Sequence, residues 1–353
     1  MNILRIRTVV ALIGMMFLQA CGTLEYLGQA ASGHLALVSR ARQIDDVIGD
    51  PATTQDLKDR LLLAREIRQF ASRELGLPDN RSYTRYTSLD RPYAVWNVVA
   101  TAEFSVQPVR SCFPFSGCTD YRGFFDPAGA ERHASLLRAG GHDVLIYGVP
   151  AYSTLGYFDD PLLSSFIHFP EAELARLLFH ELAHQLVYVK DDSAFNESLA
   201  MVVEREGVRR WLVARGHPEM LAVFKNSTQR ADAFNELLLE ARARLAELYA
   251  ENHLSDEMPD IRLRKVQILD ELKLRYDVLR RQWGGRSGYD RLVGERPNNA
   301  LLALARTYGR WTPAFERMLQ ESGGELPRFY NAVKSLAAQA PEERDSALKR
   351  MQP

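Results

Sequence analysis

Two stretches decide how this chain is read: Leu174-Ala175-Arg176-Leu177-Leu178-Phe179-His180-Glu181-Leu182-Ala183-His184-Gln185-Leu186 and, beyond a polar break at Lys190-Asp191-Asp192, Phe195-Asn196-Glu197-Ser198-Leu199-Ala200. The leucines of the first stretch recur at helical spacing and predict a helix with a buried stripe. On such a helix His180 and His184 lie about 400° apart, so they project from one face, one turn apart, and both can reach a single ion. Glu181 lies about 100° further round, able to touch water on that ion without ligating it. An HExxH pattern fixes only three residues, and its chance occurrence in a chain of this length is on the order of one per cent. The bland alternative is a structural HExxH that holds no metal.

A third ligand must come from elsewhere. After the break a second helix opens, with Asp192 or Ser193 as its N-cap. Glu197 stands in its first turn, and a helix–turn–helix of this length returns it opposite the histidines. The competing reading of Glu197 is a helix N-terminal carboxylate favoured by the dipole. Two imidazoles and a carboxylate suit one Zn²⁺ ion and leave a fourth position for water. Glu204 falls on nearly the same stripe but about 10 Å along the axis, so it cannot share the ion directly. It is expected behind the ligands or on the surface, and Asn196 is expected behind the ligands.

Around this centre the composition is ordinary for a folded protein. The chain has 353 residues, 44 Lys and Arg against 45 Asp and Glu, with 46% hydrophobic and 25% charged residues. These fractions exclude disorder and a multi-span membrane protein. The balanced charge argues against a nucleic-acid partner, which would draw a basic excess. Three cysteines are too few for a disulfide scaffold.

The N-terminus is a separate unit. Arg5 and Arg7 precede an apolar run to Leu18, too short to span a membrane, in the layout of a secretory signal over residues 1–20. Leu18-Gln19-Ala20-Cys21 also resembles a bacterial lipobox, which implies acylation of Cys21 and anchoring in a lipid bilayer. A plain cleaved signal is the alternative. Gly22 after the cysteine implies, by the sorting rule of that class, an outer-membrane lipoprotein facing the periplasm. Residues 21–35 read as a tether, and 36–353 as a single domain. Export makes a disulfide permissible between Cys112 and Cys118, which flank a Pro114- and Gly117-containing turn. Two buried free thiols are the alternative there.

The rest of the chain reads as α+β, mainly α-helical. A helical hairpin broken at Asp50-Pro51 comes first. Two or three strands follow between Tyr83 and Phe115, then a helix started by Pro127 and a short strand over 143–149. Residues 218–283 form a long charged helical hairpin, read as a solvated arm packed on one face. Short helices fill the C-terminal part.

Three runs carry a resemblance: Phe179 to Gln185, Phe195 to Ala200, and Val203-Glu204-Arg205-Glu206-Gly207. Together they resemble a bacterial lipoprotein family of predicted zinc aminopeptidases, with the gluzincin arrangement of HExxH metallopeptidases. Tyr121-Arg122-Gly123-Phe124-Phe125-Asp126, Ala151-Tyr152-Ser153-Thr154-Leu155-Gly156 and Asn298-Asn299-Ala300 are similar to that family as well. The resemblance spans about residues 83–340. It implies a gluzincin-like core, a peptide substrate and hydrolysis in the periplasm. No Gly-Ala-Met-Glu-Asn segment is present, and exo- or endo-cleavage stays open.

The chemistry expected of the site is attack by a metal-activated water, with Glu181 as the proton acceptor. A further donor for the developing oxyanion is sought among the tyrosines, with Tyr289, Tyr308 and Tyr276 as candidates. The 143–149 strand and the segment after it offer an edge for an extended peptide. Asp159 and Asp160 read as a turn before Pro161, with capture of a substrate ammonium as the alternative. His168 reads as a loop histidine. The function of another class is a zinc-bearing envelope lipoprotein that serves binding or assembly, with the hairpin as its contact surface.

Overall fold

The computed structural model describes residues 26, 28–113, 117–151, 153–251, 258–285, 287–307 and 309–352. The signal, Cys21 and Tyr308 lie outside the described residues. The chain is mainly helical with small sheets, as its periodicity implies. Residues 28–35, expected within a tether, are instead part of a helical stretch over 28–39. The stretch is docked rather than free: Gln29 accepts from Phe125 N and donates to the Gly123 carbonyl, imitating a strand neighbour. Arg122 stacks over Tyr26 at 4.0 Å.

Strand β1 (Arg42–Gln43) leads into helix α1 (Ile44–Gly49), and a break at Asp50 precedes α2 (Gln55–Arg73), capped by Thr54. The strand-rich part contains β2 (Arg85–Thr87), β3 (Val95–Ala102), β4 (Ser111–Phe113), β5 (Gly117–Thr119) and β6 (Arg122–Phe124). Helix α3 (Pro127–Ala139) starts with Pro127 in its first turn, behind an Asp126 cap. Strand β7 (His142–Val149) returns antiparallel along β3, and the order β6-β3-β7 leaves β7 at the sheet edge. Short β8 (Leu162–Leu163) pairs in parallel with β2.

The two helices of the opening motif are α4 (Glu171–Leu186) and α5 (Ser193–Ala214). They pack against each other and share the main core with α2 and the C-terminal helices. Leu174, Leu178, Leu182, Phe195 and Leu199 are all buried there. Gly207 lets α5 approach closely, since a Cβ at that position would meet the Phe179 ring at 2.7 Å. The β6-β3-β7 sheet packs α3 on one face through Val98, Ala100 and Ala134. Its other face, through Val99, Leu145 and Tyr147, meets Ala300 and Ala303 of the helix Asn299–Thr307.

The long hairpin is α6 (Pro218–Glu251) and α7 (Met258–Gln282), followed by α8 (Asp290–Val293) and α9 (Asn299–Thr307). Pro259 stands in the first turn of α7, where a proline is tolerated. The hairpin has a core of its own: Phe234, Leu238, Leu245, Leu272 and Tyr276 pack with Leu301 and Val106. A buried lysine fastens it to the sheet. Lys265 Nζ donates to the Glu103 carbonyl at 2.8 Å and to Asp143 at 2.7 Å. Three further helices, α10 (Thr312–Glu321), α11 (Leu326–Ala337) and α12 (Pro341–Met351), close the main core from behind. No described helix is long and apolar enough to cross a membrane.

Candidate metal centre

Apolar packing sets the orientation of the site. Because α4 buries its leucine stripe, His180 and His184 are turned together toward the first turn of α5. The intervening turn is tightly held. Asp192 caps α5 by accepting from Phe195 N at 3.0 Å, and Arg344 from α12 holds its other oxygen at 2.8 Å. Buried Asn196 brackets Val189, accepting from its N–H and donating to its carbonyl, both at 2.8 Å. Asn196 therefore fixes the turn that delivers Glu197; its partners are backbone groups, not the imidazoles behind which it was expected.

The result is a convergence. His180 Nε2 and His184 Nε2 face each other at 3.1 Å, and Glu197 places Oε2 3.3 Å from the first and Oε1 3.6 Å from the second. One ligand atom from each residue lies within 4.8 Å of the others. Tetrahedral coordination with bonds of 2.0–2.1 Å would separate neighbouring ligand atoms by about 3.3 Å, so the spacing and the donor set fit zinc. Glu204 stands where its spacing put it, behind His180: Oε2 is 2.8 Å from Nδ1. A carboxylate on Nδ1 fixes the ring and leaves Nε2 free to bind. Arg176, one turn before His180, balances Glu204 at 3.5 Å and pairs with Glu173 at 2.7 Å.

Charge at the site follows from this packing. Burial opposes protonation of His180, but hydrogen bonds and charge from Glu197 and Glu204 overcome it and hold its pKa well above the usual histidine value. His184 lies at about 4, lowered by burial. Glu181 is raised to about 7, chiefly by burial, with His180 opposing and Glu197 adding to the rise.

The tyrosines are rearranged relative to expectation. Tyr289 stacks on Phe234 at 4.1 Å, and its charged neighbours are Arg176, Glu173 and Asp232. Tyr276 donates to Asp290 at 2.5 Å within the hairpin core. Tyr121 has Glu197 and Glu181 among its electrostatic neighbours, with Tyr147 and Tyr188: desolvation of its phenol end raises its pKa, although 40% of the residue is exposed. Tyr121 opens the Tyr121–Asp126 run that resembles the family, but nothing in that run's spacing marks its phenol as a site group, and it arrives from the β5–β6 connection. The Cys112–Cys118 disulfide ties the preceding hairpin. Cys118 N donates to Asp191 at 2.8 Å, so that hairpin sits on the turn between α4 and α5.

A second phenol, Tyr83, was also missed. It is 1% exposed, with φ +64°, and lies beside Ser153, Glu181 and Asp160. Asp160 is buried and accepts from Thr154 N and Oγ1, while Asp159 pairs with Arg81 at 2.8 Å. Asp160 serves the turn, as its place before Pro161 implied, whereas Asp159 pairs across the chain with Arg81. His168 pairs with Asp56 at 3.3 Å, as a loop histidine.

A family model described as "Putative aminopeptidase" matches residues 25–348, nearly the whole chain. The chain belongs to that aminopeptidase family. The match takes in every element that builds the site, from the docked helical stretch to α12, and implies a peptide substrate. No curated protein and no solved structure matches the chain.

Proposed function

We propose that this member of the aminopeptidase family is a zinc-dependent peptide hydrolase with His180, His184 and Glu197 as the ligands of one ion. The observation that carries the reading is the convergence of two imidazole nitrogens and one carboxylate at 3.1–3.6 Å. When bound there, Zn²⁺ supplies acidification of a water molecule and polarisation of the scissile carbonyl. Glu181 takes the proton of the attacking water and passes it to the leaving amine; a carboxyl near pH 7 is suited to both transfers. Tyr121, kept as a neutral phenol, donates to the developing oxyanion. Glu204 and Arg176 hold His180 in its binding orientation. β7 stands at the edge of its sheet, and such an edge suits an extended peptide bound through its backbone. The signal layout and Cys21 support action at the bacterial envelope, from an anchored protein facing the periplasm.

The test is peptide cleavage by the purified mature chain. Chelation should abolish it and added zinc restore it. Glu181→Gln should lose about 10²- to 10⁴-fold in kcat while keeping its zinc. Mass spectra of products from free and N-terminally blocked peptides then separate aminopeptidase from endopeptidase action. Absence of cleavage at full zinc occupancy would overturn the reading.

A further inference from the structure

Four aromatic side chains stand unusually open around the metal centre. Tyr157 is 84% exposed, Phe158 57%, Tyr188 45% and Tyr121 40%. Large apolar rings are costly to leave in water, and a group of them beside a reactive centre calls for a partner. Tyr157 and Phe158 sit on the segment after β7. Leu155 and Gly156 turn that segment with φ of +56° and +82°. Gly156 lies against Gln185, the residue after His184, with its Cβ direction 3.4 Å from that side chain. Tyr188 follows α4 on the turn before α5, and Tyr121 lies three residues past Cys118, whose N–H meets Asp191 of that turn at 2.8 Å, so these rings border the end of α4 that Gly156 touches.

The rim is ordered and uncharged. Thr154 donates its N–H to Asp160 at 2.9 Å and accepts from Phe158 N at 3.1 Å, while Asp160 returns its carbonyl to Tyr83 N at 2.6 Å. The His34 ring backs Phe158 at 4.7 Å. Nearby charges are already engaged: Asp159 by Arg81, Asp160 by Ser153 and Thr154, and Asp191 by Cys118 N and Arg110. A rigid neutral rim favours a neutral ligand group, and rings held by their loop lose little freedom on binding.

Resting on the peptide-hydrolase reading, we propose that Tyr157 and Phe158, flanked by Tyr188 and Tyr121, form a subsite for a large apolar or aromatic side chain beside the scissile bond. Burying such a side chain is worth about ten- to a hundredfold in affinity. The probes are acetylated dipeptide hydroxamates that differ only in carrying Phe, Leu, Ala or Asp, titrated calorimetrically into the zinc-loaded mature chain. The Phe and Leu compounds should bind at least about tenfold more tightly than Ala, and Asp more weakly still. Tyr157→Ala with Phe158→Ala, both exposed positions, should bring Phe to within about twofold of Ala and leave Ala unchanged. Equal binding of Phe, Ala and Asp by the wild type, or an equal loss for every compound in the double variant, would overturn the subsite. Cleavage of the matching peptides reports on the other reading: sorting of hydroxamates without any cleavage would sink the hydrolase and uphold the subsite.

Discussion

At the scale of single residues, the site is a set of opposed charges whose balance is set by burial. His180 shows this best. Without an ion, Glu197 and Glu204 hold a proton on its ring against the pull of burial. Zinc must displace that proton, so apparent zinc affinity should fall as pH falls, beginning above the ordinary histidine range. The slope should be about tenfold per pH unit for one proton. His184, at about 4, adds no proton near neutrality. Competition with a chromogenic chelator between pH 6 and 8.5 measures this, and a flat affinity would contradict the arrangement. Tyr121 gives a second prediction. Tyr121→Phe should lower kcat by about 10²-fold with KM and zinc content little changed, because the phenol acts on charge present only in the transition state. Steady-state kinetics on one peptide decide it, and a change in KM alone would assign Tyr121 to binding instead.

Between α4 and α5, the element that matters is the turn. Its geometry rests on Asp191 at φ +64°, the Asp192 cap and the Asn196 bracket around Val189. Asn196→Ala leaves the partly buried Val189 N–H and carbonyl unpaired; a fully buried group would cost about 1–3 kcal/mol, so with partial burial the chain should lose about 2–4 kcal/mol of stability. Zinc affinity should fall with it, since Glu197 is the next residue. Urea unfolding of the ion-free protein gives the first quantity and chelator competition the second. Retained stability would show that the disulfide hairpin, docked through Cys118 on Asp191, suffices to hold the turn. The helices themselves were legible: leucine spacing announced α4, Pro127 announced α3, and the break at Lys190-Asp191-Asp192 announced the turn. The helical stretch over 28–39 was not, because its small and polar residues dock through side-chain bonds from Gln29 rather than through an apolar stripe.

For the whole molecule, stability should depend on pH through the buried Asp160. Its carboxyl is raised to about 6, chiefly by burial, so the fold prefers it protonated. That preference contributes in full below the unfolded carboxylate value of about 4 and drains away as pH rises through about 6, a term on the order of 3 kcal/mol. Asp160→Asn cannot ionise. The urea-midpoint difference between variant and wild type should therefore move in the variant's favour from pH 4 to pH 7, and a constant difference would refute the assignment. The sequence by itself singled out the candidate ligands His180, His184 and Glu197, and the helices that carry them, because helical periodicity fixes which side chains share a face within a few turns. Axial rise also kept Glu204 from sharing an ion with them, and left open a place behind them or on the surface. Only the tertiary structure decided which tyrosines lie near the candidate site. Tyr289 and Tyr276 are carried into other layers by the hairpin core, whereas Tyr121 and Tyr83 arrive from strands and loops far away in the chain. No local spacing encodes such meetings, since they depend on how the sheet, the disulfide hairpin and the α4–α5 pair pack together in space.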